Sequence, residues 1–89
     1  MLTVEATPSG AGWECTVLVG QGGASSRHVV RVQPVDLERW GRPGEGPEQL
    51  VTRAFEFLLA REPASQILQR FDVGIIQRYF PEFDREIRR

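Results

Sequence analysis

Cys15 and His28, the sole thiol and the sole imidazole of the chain, are the side chains that could bring nucleophilic chemistry to it. A thiolate nucleophile needs a base within hydrogen-bond reach and surroundings that favour the anion. A zinc site needs about three or four nitrogen or sulfur ligands at suitable spacing, and one His plus one Cys do not supply them, so no metal is expected. Gly20-Gln21-Gly22-Gly23 has the glycine content of a phosphate cradle. A strand pattern follows it rather than a helix N-terminus, which makes it hairpin chemistry. Asp and Glu residues are scattered without a convergent pair. The remaining question is whether the folded elements bring Cys15 and His28 together.

Hydrophobic residues in the first third alternate in steps of two: Leu2, Val4 and Ala6 within Leu2–Thr7, Trp13, Cys15, Val17 and Val19 within Trp13–Val19, and His28, Val30 and Val32 within Arg27–Gln33. The turn-forming stretches Pro8–Gly12 and Gly20–Ser26 are short enough to join antiparallel neighbours, which predicts a β-meander over residues 1–35. Pairing Val19 with His28 sets Val17 against Val30 and Cys15 against Val32, gathering the apolar parity on one face. The other face carries Glu14, Thr16 and Leu18 against Val29, Arg31 and Gln33, a mixed and wet surface. In that register His28 lies too far along the ladder to serve Cys15. The thiol then reads as buried and inert, and His28 as a ring packed at the sheet margin. No catalytic residue and no cofactor is assigned, and no enzyme is expected.

Past Pro34, Asp36 caps a single expected turn, Leu37 to Trp40, and Gly41-Arg42-Pro43-Gly44-Glu45-Gly46 is an internal loop over 41–46. Pro47 at a first helical position and Pro63 as a stop bracket a main helix over 47–62. Its stripe of Leu50, Val51, Ala54, Phe55 and Leu58 is widened by Phe57 and Leu59 to roughly half the circumference at 100° per residue. One sheet face cannot cover that width, so residues 64–88 must pack on the flank. They come in short pieces: Ile67, Leu68 and Phe71 on one helical face, then Asp72 as N-cap with Phe71 and Ile76 as a hydrophobic staple, then a turn broken at Pro81 and resumed towards Ile87. The expected fold class is α+β: a three-stranded antiparallel meander packed on one long helix, followed by two or three short C-terminal helices, in a single domain over 1–89.

The chain has 89 residues and a formal charge of −1, so nothing in its global field draws it to nucleic acid or to an anionic membrane. All eleven basic residues are arginine, and Arg85, Arg88 and Arg89 sit among Glu82, Asp84 and Glu86, which breaks up the single-sign field that phosphate binding wants. A helix-turn-helix with Gly74 at its turn would have a recognition helix starting at Ile75, ended by Pro81, with Gln77 and Arg78 as its polar readers. The apolar character of Ile75, Ile76, Tyr79 and Phe80 favours packing instead. A lone cysteine fits a reducing compartment, and the opening residues lack a basic stretch and a long apolar run, so a cytoplasmic location and no membrane partner are expected.

The pattern Phe55-Glu56-Phe57-Leu58-Leu59, Arg61-Glu62-Pro63, Phe71-Asp72, Ile76 and Arg78-Tyr79-Phe80-Pro81-Glu82-Phe83 resembles a group of short bacterial proteins with no assigned activity. The resemblance covers roughly residues 47 to 87 and implies a bacterial origin and a shared fold, with no site residues to carry over. The strand order is also loosely similar to the three-strand-plus-helix antitoxin domains of toxin–antitoxin pairs, which lack this C-terminal half. The expected function is a small non-enzymatic interaction module that docks a protein partner or self-associates as a homodimer through Phe57, Leu59, Ile76, Tyr79, Phe80, Phe83 and Ile87. The alternatives are a nucleic-acid-binding or antitoxin-like regulator and, after that, an enzyme subunit.

Overall fold

Alternation in steps of two carries the first third of the chain into three long strands in the computed structural model, which describes residues 1–21 and 23–89. They are β1 (Leu2–Ser9), β2 (Gly12–Gln21) and β3 (Ala24–Val32), and each pairs antiparallel with the next. Ser9 pairs with Gly12, and Gly10 between them has a φ of +59°, the left-handed geometry that a two-residue hairpin loop demands of its first central position. Gly12 answers a different need: a Cβ there would lie 2.2 Å from the carbonyl oxygen of Val32.

The face assignment holds, but the register does not. His28 pairs with Val17 and Val30 with Cys15, two residues away from the expected pairing. The strands run on through Gly20 and Ser25, inside the stretch expected to be turn, so that Gln21 meets Ala24. A slip of two residues preserves the parity of every side chain, which is why Cys15, Val17, Val19, His28, Val30 and Val32 are all buried together. The reading of Gly20–Gly23 as a glycine-rich loop falls partly on Gly22, outside the described residues.

The sheet has a fourth strand that the meander reading lacked. Arg70–Asp72 forms β4, parallel to β3, with Phe71 beside Val30, giving a mixed sheet in the order β1-β2-β3-β4. Residues 66–71 are therefore not a helix: a 3₁₀ turn covers only Ala64–Gln66, and Phe71 sends its ring to the helix-covered face, 6.2 Å from that of Phe55.

Helix α1 (Pro34–Trp40) starts three residues earlier than the expected turn. Asp36 is not its N-cap but stands inside the first turn, where its carboxylate accepts the Gln33 N–H at 2.8 Å. Helix α2 (Pro47–Leu59) starts at Pro47 as the proline rule requires and ends short of residue 62. It buries Leu50, Val51, Ala54, Phe55, Phe57 and Leu58, and its Phe57 flank is covered by Phe80 and Phe83, with ring centroids at 5.8 Å and 5.1 Å. The C-terminal segment closes the core through a 3₁₀ turn (Val73–Ile75), α3 (Ile76–Tyr79) and α4 (Phe83–Glu86). Trp40 meets Phe83 edge-on at 5.2 Å and donates its indole N–H to Asp84 at 2.9 Å.

Asp72 precedes the 3₁₀ turn, yet its side chain makes no capping hydrogen bond. Its carboxylate is exposed on β4. Asp72→Ala is therefore expected to shift the unfolding free energy by no more than about 0.5 kcal/mol, as for other surface positions without a special contact. A urea midpoint displaced by a full capping energy would contradict this.

Candidate functional site

The segment between α2 and β4 is held in place by His28. Its Nδ1 lies 2.8 Å from the Leu68 carbonyl and its Nε2 2.8 Å from the Ser26 hydroxyl. A carbonyl can only accept, so Nδ1 carries the proton and donates, and in the neutral ring Nε2 accepts from Ser26. The Val29 N–H adds a hydrogen bond to the Gln69 carbonyl at 2.7 Å. His28 is fully buried, with its ring 5.2 Å from that of Phe55. It is a core bracket, not a residue at the sheet margin.

This bracket fixes one wall of a groove of about 380 Å³, lined by Leu58, Glu62, Gln66, Ile67, Leu68, Phe71, Ile75, Ile76, Tyr79 and Phe80. Leu58 and Glu62 come from the end of α2 and the turn after it, Phe71 from β4, and Ile75 to Phe80 from the 3₁₀ turn and α3. The floor is buried: Ile67 and Ile76 are closed to water. The rim is open, with Leu68 51% and Tyr79 65% exposed, although both are large side chains with apolar bodies. Glu62 is the one charged side chain among the lining residues, and no second carboxylate, histidine or cysteine joins it there. The groove suits apolar contact far better than acid–base chemistry.

The seven residues expected to form a contact surface divide sharply. Phe57, Phe83 and Ile87 are buried in the packing between α2, Trp40 and the C-terminal turns and do not face outward, and Ile76 is buried as part of the groove floor. Leu59 and Phe80 are half-buried against the core. Tyr79 alone is well exposed, and Ile76, Tyr79 and Phe80 are the members of the set that line the groove. The surplus of apolar residues over 67–87 is thus mostly core. Leu58, Ile67, Leu68, Phe71 and Ile75 complete the groove and were missing from the expected surface. Ile67, Leu68 and Phe71 are readable as one apolar face, but placing that face beside α3 depends on β4.

Cys15 and His28 are closer than the expected register implied, diagonal neighbours on one face across β2 and β3. They still form no nucleophile–base pair, because both ring nitrogens of His28 are engaged elsewhere. Burial, with a smaller contribution from Glu48, pushes the Cys15 thiol up to about 11. A soluble aromatic disulfide reagent is expected to leave Cys15 untouched in the native protein and to titrate one thiol per chain once urea unfolds it. Rapid reaction in the folded state would mean that the strand opens around Cys15.

No helix-turn-helix is formed around Gly74: β4 precedes it, and α3 is a single four-residue turn. Among the arginines, Arg39, Arg53, Arg61, Arg70, Arg85, Arg88 and Arg89 each lie within 4.0 Å of a carboxylate, and so do not present a single-sign field. Among the described residues no group of three or more His, Cys, Asp or Glu side chains converges as metal ligands, and no helix is long and apolar enough to cross a membrane. No family model, curated protein or solved structure matches the chain.

Proposed function

We propose that the protein is a small non-enzymatic bacterial interaction module that takes an apolar segment of a protein partner into the groove between α2, β4 and α3. The observation that carries this reading is the exposure of Leu68 and Tyr79 above a closed apolar floor. A rim of this kind offers the enclosed apolar contact and the aromatic anchor that recur where binding energy is concentrated. Gln66, Glu62 and the Tyr79 hydroxyl supply the polar edge that fixes orientation. The burial of both His28 and Cys15 away from the groove weighs against catalysis, and the carboxylate partners of the arginines weigh against nucleic acid.

A photo-cross-linking amino acid placed at Tyr79 tests the proposal in bacterial cells. The expected result is a discrete protein adduct that Leu68→Glu removes without moving the denaturation midpoint. The same amino acid at Thr16, on the wet face of the sheet, should give none. Equal labelling at both positions, or none at Tyr79, would discard the groove as a contact site.

A further inference from the structure

We propose that the free edge of β1 is a self-complementary dimer interface, with β1 pairing antiparallel to β1 of a second copy around a twofold axis at Val4. Sheet order leaves β1 at one edge and the three-residue β4 at the other, so β1 presents a full-length edge strand with no neighbour on its outer side.

The direction of its backbone groups follows from the β1–β2 ladder. Met1 and Gly20 exchange both of their hydrogen bonds, N–H to O at 2.8 Å in each direction. In an antiparallel pair such hydrogen-bonded pairs alternate with pairs that are not bonded to each other. Thr3, Glu5 and Thr7 therefore turn their N–H and C=O groups inward to β2, whereas Leu2, Val4, Ala6 and Pro8 turn theirs outward. Pro8 has no N–H to leave unpaired on that edge. Natural edge strands are commonly blunted by lysines, bulges or inward charges. Between Leu2 and Ala6 β1 has none of these; its one charge, Glu5, is exposed.

A twofold at Val4 sets Leu2 against Ala6 of the second copy and Val4 against its own mate, so that every outward N–H from Leu2 to Ala6 finds a carbonyl. Pro8 falls outside the paired stretch. Moving the axis to Glu5 sets Leu2 against Pro8, which cannot donate, and Glu5 against Glu5. Moving it to Thr3 carries Ala6 past the partner's first strand residue, Leu2. Only the Val4 axis uses all three donors and keeps the two carboxylates from standing directly opposite each other. Leu2, Val4 and Ala6 lie on the α2 side, partly buried against the core, so the pairing also joins the two cores along their seam. The product is a continuous sheet whose outer ends are the two β4 strands, each carrying its groove, and the pair can bind a repeated partner with avidity.

Val4→Pro is a selective test because the N–H it removes points away from β2 and the internal ladder keeps all of its bonds. Sedimentation velocity at high micromolar concentration is expected to give twice the 10.1 kDa chain mass for the native protein and a monomer for Val4→Pro that keeps the native circular dichroism spectrum, with a lower thermal midpoint because the dimer no longer stabilises the fold. A second measurement fixes the register: Thr3 faces Glu5 of the second copy in a pair that is not hydrogen-bonded, about 4.5 Å between Cα atoms, within disulfide range. Oxidised T3C/E5C is expected to run as a covalent dimer, and T3C/T7C, which matches the axis at Glu5, is not. A monomeric native protein, a dimer that survives Val4→Pro, or failure of T3C/E5C to cross-link would each overturn the proposal. If Val4→Pro does not fold, the cross-link alone decides. Leu68→Glu in the groove should leave the dimer intact, which separates this result from the fate of the groove.

Discussion

Phe83→Ala is expected to lower the free energy of unfolding by about 3–5 kcal/mol. Phe83 is fully buried, with its ring 5.2 Å from Trp40 and 5.1 Å from Phe57, so truncation opens a cavity where α1, α2 and α4 meet. Domains of this size hold only about 0.05–0.15 kcal/mol per residue of net stability, and the variant should sit close to its unfolding transition at room temperature. Urea denaturation reads the effect as a fall in midpoint at constant slope. Phe83→Leu, which restores much of the lost volume, should recover a large part of the loss. A Phe83→Ala midpoint equal to that of the native protein would mean that the C-terminal turn is not part of the core.

Arg53→Met is expected to cost about 3 kcal/mol, the lower end of what removing one partner of a buried ion pair costs. The guanidinium of Arg53 reaches both Glu45 oxygens, at 2.7 and 2.9 Å, and the Trp40 carbonyl at 3.0 Å, and also bonds the Ile87 carbonyl. It thus joins the end of α1, the 41–46 loop and the last turn of the chain. Both side chains of the pair are 15% exposed, so methionine leaves the Glu45 carboxylate mostly out of water without a counter-charge. Adding Glu45→Gln should restore part of the loss, since the orphaned charge is then gone. Hydrogen bonds from Arg53 hold the Glu45 carboxyl below its ordinary 4.5 against the opposing effect of burial, helped by the Arg42 N–H. The sign of the pH dependence follows: a depressed carboxyl pKa stabilises the fold above about pH 4.5, and that contribution is lost as pH falls through the folded-state value. Native protein should therefore lose stability in this acid window more steeply than Arg53→Met. Parallel pH slopes for the two proteins would exclude the pair as the cause.

Much of the sheet was legible because parity is a robust signal. Cys15, Val17, Val19, His28, Val30 and Val32 share a face in any register that differs by an even number of residues. The register itself was hidden in Gly20 to Ser26, where small and polar residues do not mark where pairing stops. Pro47 located the start of α2 because a ring without an N–H fits a first helical position at no cost. β4 was illegible: Arg70-Phe71-Asp72 is too short to show a period, and its pairing depends on the Leu68 and Gln69 carbonyls meeting β3. With β4 unseen, Phe71 reads as part of a helical face, whereas Asp72 does stand at the N-cap position of the turn that starts at Val73 but without the side-chain hydrogen bond expected of it. The groove was lost with it, since its apolar members could be recognised but not divided between core and rim.

The bond from His28 to the Leu68 carbonyl spans 40 positions of sequence, and β4 closes onto β3 across the same interval. Closing a loop of that length costs on the order of 3 kcal/mol of chain entropy, set against a ladder of three residue pairs. The β1–β3 meander closes through short hairpins and can form early, whereas the groove does not exist until both α1 and α2 have been threaded between β3 and β4. The groove is thus expected to assemble after the meander and to open before it. Amide protons around Gln69 to Val73 should exchange through a partial opening that leaves the hairpin amides protected, and a partner seated in the groove would slow that exchange by holding the latch shut.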